Sequence, residues 1–286
     1  MVELEHGANA LLQLRARYSA LRTSEKRVAD YILSRPDEII YLSITSLADK
    51  CHTSETSVIR LCKAMGYNGY QDFKINIAKS IIEPSKQIHE EVGEDDSTSD
   101  IIKKVMSSNI KAIEDTMQVL SSQQVQCAVD AIANTRRLEF YGMGGSGSVA
   151  LDAQHKFFKY GISCLAYTDP HMQAMSAATM GPGDVALGIS HTGSSKDIVE
   201  NLEIAAQAGA TTICITGGMK SPITKVCDIV LMVVSKEQSY KPEPMSSRIA
   251  QLSIIDVLSV GVARTRPDAV LKNLQKTRKS LSAKRY

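Results

Sequence analysis

From residue 138 to residue 233, short apolar runs alternate with longer segments of helical period, and this alternation constrains the fold more than any other feature of the chain. The spacing predicts strands over 138–141, 163–167, 185–189, 211–215 and 229–233. Helices are predicted between them over 149–160, 171–179 and 196–208, with a short one over 222–226. Strands joined by helical crossovers pair in parallel, and a parallel sheet is covered on both faces. Two strands run into hydroxyl-rich turns. Leu138-Glu139-Phe140-Tyr141 enters Gly142-Met143-Gly144-Gly145-Ser146-Gly147-Ser148, and Val185-Ala186-Leu187-Gly188-Ile189 enters Ser190-His191-Thr192-Gly193-Ser194-Ser195. Glycine lets the backbone approach an anion, a helix start offers N–H groups and a positive dipole end, and hydroxyls donate without a fixed charge. Such loops suit a phosphorylated small molecule, although Gly and Ser also serve any tight turn between strand and helix.

The first half has a different pattern. Ser43 is placed to cap a helix in which Ile44, Leu47 and Ala48 share a face, Cys51-His52-Thr53 form a turn, and Ser54 caps a second helix. Val58, Leu61, Cys62 and Met65 make one apolar stripe on that second helix, and Gly66 stops it. Ser54, Glu55, Thr56, Ser57, Arg60 and Lys63 are left as the polar set. In a helix-turn-helix the start of the second helix enters the major groove, where short polar side chains and Arg reach base edges and Lys meets phosphate. A small bundle with a merely solvated outer face has the same pattern.

The 286 residues allow two modest domains, and a net charge of +2 does not by itself argue for nucleic acid. Residues 1–80 hold eleven Lys/Arg against nine Asp/Glu, so DNA binding requires positive charge gathered on one face or doubled by dimerisation. Six dispersed cysteines lack zinc-ligand spacing, which points to a reduced cytoplasm and no metal. The N-terminus lacks a signal-peptide pattern and no stretch approaches bilayer-crossing length, so neither secretion nor a membrane partner is expected. Residues 81–100 carry Pro84 and the acids Glu90, Glu91, Glu94, Asp95 and Asp96, and read as a linker. Beyond it, Ile101, Val105, Ile110, Ile113, Met117 and Leu120 mark one helix, and Val125, Val129 and Ile132 a second. At the far end 245–262 reads as an apolar helix and 268–282 as a basic one, with Val270, Leu271 and Leu274 packed inward.

The run Ser43-Ile44-x-x-Leu47-Ala48, then Ser54-x-x-Ser57-Val58-x-Arg60-x-Cys62-Lys63-x-Met65-Gly66-Tyr67-x-Gly69-Tyr70-x-Asp72-Phe73-Lys74, resembles the N-terminal domain of RpiR-type bacterial transcriptional regulators. One departure is His52, where the family often has Gly; His tolerates a left-handed backbone better than branched residues do. The two hydroxyl-rich loops resemble those of the sugar isomerase, or SIS, domain that forms the C-terminal half of these regulators. The resemblance implies an all-α helix-turn-helix domain over 1–80, a linker over 81–100 and an α/β parallel-sheet SIS domain over 101–286. It also implies operator DNA and a phosphorylated sugar as partners, a homo-dimer or homo-tetramer, and a sugar-phosphate site of Gly144, Ser146, Ser190, His191, Thr192, Gly193, Ser194 and Ser195. The backbone N–H groups of His191, Gly193 and Ser194 would lie near the ligand.

Two rival readings remain. Gly142-x-Gly144-x-x-Gly147 with Asp169 beyond the next strand matches a dinucleotide fingerprint, although a dinucleotide does not need the second cradle. A phosphosugar isomerase with an appended helical module would need a base, for which the candidates are His171, His191 and Glu243. None has a convincing partner, so no catalytic residue, no cofactor and no enzyme activity are expected. Ser148 reads as a helix cap, Arg248 as part of a plain helix start, and Lys156 and Lys159 as surface charge.

Overall fold

The computed structural model describes residues 10–81, 92, 93, 95–235 and 245–282. The chain divides into two compact units, the first running to Ser107 and the second beginning at Ser108. Most of the acidic segment expected as a linker, including Pro84, Glu90, Glu91 and Glu94, lies outside the described residues.

The first unit is helical: α1 (Ala10–Arg17), α2 (Thr23–Ser34), α3 (Pro36–Ile39), α4 (Ile44–Lys50), α5 (Glu55–Ala64) and α6 (Tyr70–Ile81). Ser43 Oγ accepts from Ser46 N–H and Ser54 Oγ from Ser57 N–H, so both caps of the helix-turn-helix form as the sequence predicts. His52 takes φ +48° in the turn and Gly66 takes φ +90° after α5. Val58, Leu61, Cys62 and Met65 are all buried, packed in one core with Leu14, Val28, Ile32, Leu47, Phe73 and Ile77. Lys74 is also buried; its Nζ donates to Leu42 O at 2.9 Å and stands 5.3 Å from the centre of the Tyr70 ring. Burial pushes that ammonium down to about 7.

Helix α7 (Thr98–Val119) leads to α8 (Ser122–Ala133) and then to the sheet: β1 (Arg137–Gly142), α9 (Gly145–Phe158), β2 (Cys164–Tyr167), α10 (Pro170–Ala177), β3 (Asp184–Ile189), α11 (Lys196–Gln207), β4 (Thr211–Thr216), a 3₁₀ turn and β5 (Ile229–Met232). Helices α12 (Ser246–Thr265) and α13 (Pro267–Ser282) follow. The five strands are parallel in the order β2-β1-β3-β4-β5. Residues of β3 alternate between the two layers. Val185, Leu187 and Ile189 meet α8, α9 and α12, while Ala186 faces the core of α10 and α11 and a Cβ on Gly188 would strike Leu202 of α11.

Three expectations change, and one helix shows a face that the sequence reading left unassigned. The apolar residues of α7 face largely outward, with Ile110, Ile113 and Met117 exposed and the smaller Ala112 and Thr116 buried; Thr116 Oγ1 accepts from Val234 N–H. Helical period alone does not say which face is covered. Leu271 of α13 is exposed rather than packed inward, while Val270 is buried. Lys156 is no free surface charge, since it pairs with Asp256 of α12 and, at 3.5 Å, with Asp152. Finally, α12 is long and apolar enough to cross a membrane by length and composition, contrary to the expectation that no stretch is. Half of that span is buried, and Ile254, Ile255, Leu258 and Val262 are core residues.

Candidate functional site

Strands β1 and β3 are neighbours in register, Tyr141 beside Gly188 and Gly142 beside Ile189. The loops leaving them therefore emerge side by side at the carboxyl edge of the sheet. The chain also reverses its direction of travel there, since β2 lies on one side of β1 and β3 on the other. The crevice at such a switch point is where open parallel sheets bind ligands.

Helix α9 begins at Gly145, four residues before the predicted start, and so takes in most of the first loop. Gly144 precedes it with φ +53° and no side chain caps the helix. Ser148 is not an N-cap; its hydroxyl donates to Gly145 O at 2.6 Å inside the first turn. The half-buried Ser146 hydroxyl has no hydrogen-bond partner among the described residues. A Cβ on Gly142 would sit 2.5 Å from Ser146 O, and one on Gly147 3.0 Å from Thr168 Cγ2. Close backbone packing requires Gly142, while a side chain at Gly147 would press on Thr168. Asp169, the candidate ribose acid, caps α10 by accepting from Met172 N–H at 2.9 Å. One of its two carboxylate oxygens is thereby committed to the helix start.

The second loop is cross-linked. Ser190 Oγ donates to Ser195 Oγ at 3.1 Å, and Ser190 N–H donates to Ile215 O of β4. Two backbone donors expected to face an anion are engaged within the loop instead: Gly193 N–H donates to Ser190 O and Ser194 N–H to Thr192 Oγ1. The backbone makes a hydroxyl-stabilised turn before α11, whose start, like that of α9, has no side-chain cap. The loop after β4, absent from the sequence reading, braces this turn. His191 O accepts from Gly217 N–H at 2.9 Å, and Gly193 O accepts from Ile223 N–H at 3.0 Å. A Cβ on Gly193 would collide with Ser221 Oγ and lie 2.8 Å from Thr216 Oγ1, while Gly193 itself holds φ +63°. The Thr216-Gly217-Gly218 run directly after a strand is the signal that could have shown this third loop.

Of the candidate bases, His171 is exposed at the start of α10 and His191 is half-buried in the second loop. Glu243 lies outside the described residues. Among the described residues no group of three or more His, Cys, Asp or Glu is placed to hold a metal.

On α5, Ser54, Thr56, Arg60 and Lys63 are exposed and Glu55 is half-buried. Ser57 departs from the expectation. It is 3% exposed, sharing a hydrogen bond with Ser54 Oγ and accepting from Arg60 Nη2 at 3.0 Å. It positions Arg60 rather than standing on the open face. Arg60 also faces the buried Glu25 carboxylate at 3.9 Å, and Thr45 Oγ1 donates to Glu55 at 2.7 Å, joining the two helices of the motif. Arg27 donates to His52 O and Arg17 to Ala64 O, which hold the turn and the end of α5.

A helix-turn-helix unit followed by a parallel-sheet unit with paired hydroxyl loops defines the class. Residues 8–84 match the helix-turn-helix domain of the rpiR family and residues 131–261 match the SIS domain. An uncharacterized HTH-type transcriptional regulator of Caldanaerobacter subterraneus is 39% identical over 97% of this chain and 98% of its own length. The HTH-type transcriptional regulator HexR of Pseudomonas aeruginosa is 34% identical over 97% of both chains. The structure of the Vibrio vulnificus NanR protein complexed with ManNAc-6P is similar at a TM-score of 0.83 and 25% identity, covering 96% of this chain and 98% of that one. This chain belongs to the RpiR family of helix-turn-helix, SIS-domain transcriptional regulators.

Proposed function

We propose that the chain is a cytoplasmic transcriptional regulator of sugar metabolism whose affinity for operator DNA is set by a phosphorylated sugar. Residues 1–80 form the reader, 81–100 the linker and 101–286 the sensor. Ser54, Glu55, Thr56, Arg60 and Lys63 approach DNA with Ser57 behind them. Gly144, Ser146, Ser190, His191, Thr192, Gly193, Ser194 and Ser195 form the phosphate cradle. The observation that carries this reading is the adjacency of the two loops at the β1/β3 switch point, in a chain that also bears a capped helix-turn-helix. The sugar phosphate bound by the NanR relative supports the ligand class.

The working form is a homo-dimer or homo-tetramer, in which paired readers match the two halves of a palindromic site. The outward apolar side chains of α7 and α12, including Ile110, Met117, Val257 and Val260, support such association. The effector shifts operator affinity only as far as it binds one arrangement of the assembly better than the other.

A thermal-shift array of aldose and ketose phosphates tests the sensor, followed by operator titration with and without the best binder. A saturable shift, no conversion of the sugar and an altered operator affinity are expected. Turnover would make the chain an isomerase, and equal operator affinities would end the proposed coupling.

A further inference from the structure

Residues 1–80 carry nearly as many acids as bases, so a face for DNA exists only where cations are sorted from acids. Three arginines ahead of the helix-turn-helix are sorted in this way. Arg27 of α2 donates to His52 O at 2.8 Å, in the turn before α5. Arg22, just before α2, gives its backbone N–H to Glu25 Oε2 at 2.9 Å, while Oε1 of that carboxylate faces Arg60, in the middle of α5, at 3.9 Å. Arg17, the last residue of α1, donates to Ala64 O at 2.7 Å, at the end of α5. The three stand five residues apart in the chain, and stepping back from Arg27 to Arg22 to Arg17 follows α5 from its turn to its middle to its end. This segment therefore borders α5 along its whole length, roughly 15 Å at the rise of an α-helix.

None of the three guanidiniums enters an ion pair among the described residues, whereas Arg35 and Lys50 are both drawn to Glu38. Arg22 and Arg27 are exposed and Arg17 is half-buried. Arg17 and Arg27 each use one N–H on a carbonyl, which leaves most of the fork for another acceptor. The acid against this edge, Glu25, is buried and committed to the Arg22 N–H and Arg60, and Asp30, further along α2, accepts from Tyr18 Oη at 2.6 Å.

Groove dimensions say what such a border meets. A helix with its side chains is about 10–12 Å across and the major groove about 12 Å wide, so a helix seated there fills it. Whatever packs along its flank lies against the sugar-phosphate wall. Arg60 is exposed on the polar face of α5 and also faces Glu25 of α2, so the α2 flank is the rim of that polar face.

We propose that Arg17, Arg22 and Arg27 form a rail for the phosphates of one DNA strand, along the edge of the groove that α5 enters. This rests on the reader assignment above. The rail supplies affinity for any sequence, and α5 supplies the choice of sequence. Guanidinium forks match phosphate oxygens, and each phosphate neutralised releases condensed counterions.

Anisotropy titrations of the full chain over a range of salt concentrations would use two DNA probes, a duplex of random sequence and the tightest duplex selected from a random pool. Arg22→Gln, which keeps the backbone bond to Glu25, is expected to weaken both alike, about fivefold to tenfold at ~0.1 M salt. It is also expected to lower the slope of log affinity on log salt by about 0.9 for each DNA-bound reader, and the triple change of Arg17, Arg22 and Arg27 to Gln by about three times as much. Arg17→Lys and Arg27→Lys, which keep the charge, are expected to keep the slope. Arg60→Ala is expected to weaken the selected duplex far more than the random one. A wild-type slope in Arg22→Gln and in the triple variant would overturn the rail; Arg22→Gln decides alone if the triple variant does not fold. A loss confined to the selected duplex would also overturn it, making these arginines supports of α5. A wild-type chain that bound neither duplex would instead overturn the reader.

Discussion

The second helix of the helix-turn-helix and the second loop of the proposed cradle are both polar surfaces fixed in place, but by different means. On α5 the fixing is done by side chains: Arg60 leans on Ser57 and Glu25, and Glu55 accepts from Thr45. In the loop much of it is done by backbone, with Gly193 and His191 bonded through their carbonyls to the turn after β4 and Gly193 allowed no Cβ. A surface held by side chains can be re-specified by substitution without loss of the fold. One held by backbone keeps its shape and tolerates little change, which would suit the invariant phosphate of the proposed effector.

The largest effect should come where that rigidity is broken. Gly193→Ala places a methyl group on Ser221 in a left-handed backbone, and sugar-phosphate binding is expected to fall at least a hundredfold, read by calorimetry, with a lowered melting temperature. Operator binding by the ligand-free protein should persist. If the loop accommodated alanine with unchanged affinity, the backbone-held side of the comparison would fail. On the other surface, Arg60→Ala should weaken operator binding by about tenfold or more, the ~1–3 kcal/mol of a base-reading arginine, with sugar-phosphate affinity untouched. Thr192→Val takes one hydroxyl from the loop and its bond from Ser194 N–H; a loss of about tenfold in effector affinity is expected, on the order of the ~1–3 kcal/mol of an unsatisfied buried group.

A separate effect, on stability rather than on binding, concerns Lys74, whose buried ammonium is held down to about 7 against an ordinary 10.5. Between those values the unfolded chain keeps a proton that the folded reader has released, so this group makes stability rise with pH across the window, and below about 7 its contribution is flat. Lys74→Met should therefore be more stable than the parent near pH 7, with the gap narrowing toward pH 10 in denaturant titrations. A gap independent of pH would show the ammonium to be charged throughout.

The strands, the two loops and both caps of the helix-turn-helix were legible because each is written in local period and composition. Val185 to Ile189 alternates between two layers, and Ser43 and Ser54 stand directly before apolar stripes. What was not legible depends on partners far along the chain. The turn after β4 supports His191 and Gly193 across more than twenty residues, and Lys156 reads as solvated until α12 brings Asp256 to it. Ser57 counts as polar and therefore outward, yet its bonds to Ser54 and Arg60 turn it inward.

The crossing of the chain at β1 and β3 has one more consequence. Helix α9, which follows the first loop, packs on one face of the sheet, and α11, which follows the second, packs on the other. A molecule gripped by both turns acts as a rivet through the thickness of the sandwich, so hydrogen exchange should slow in both outer layers together when it binds.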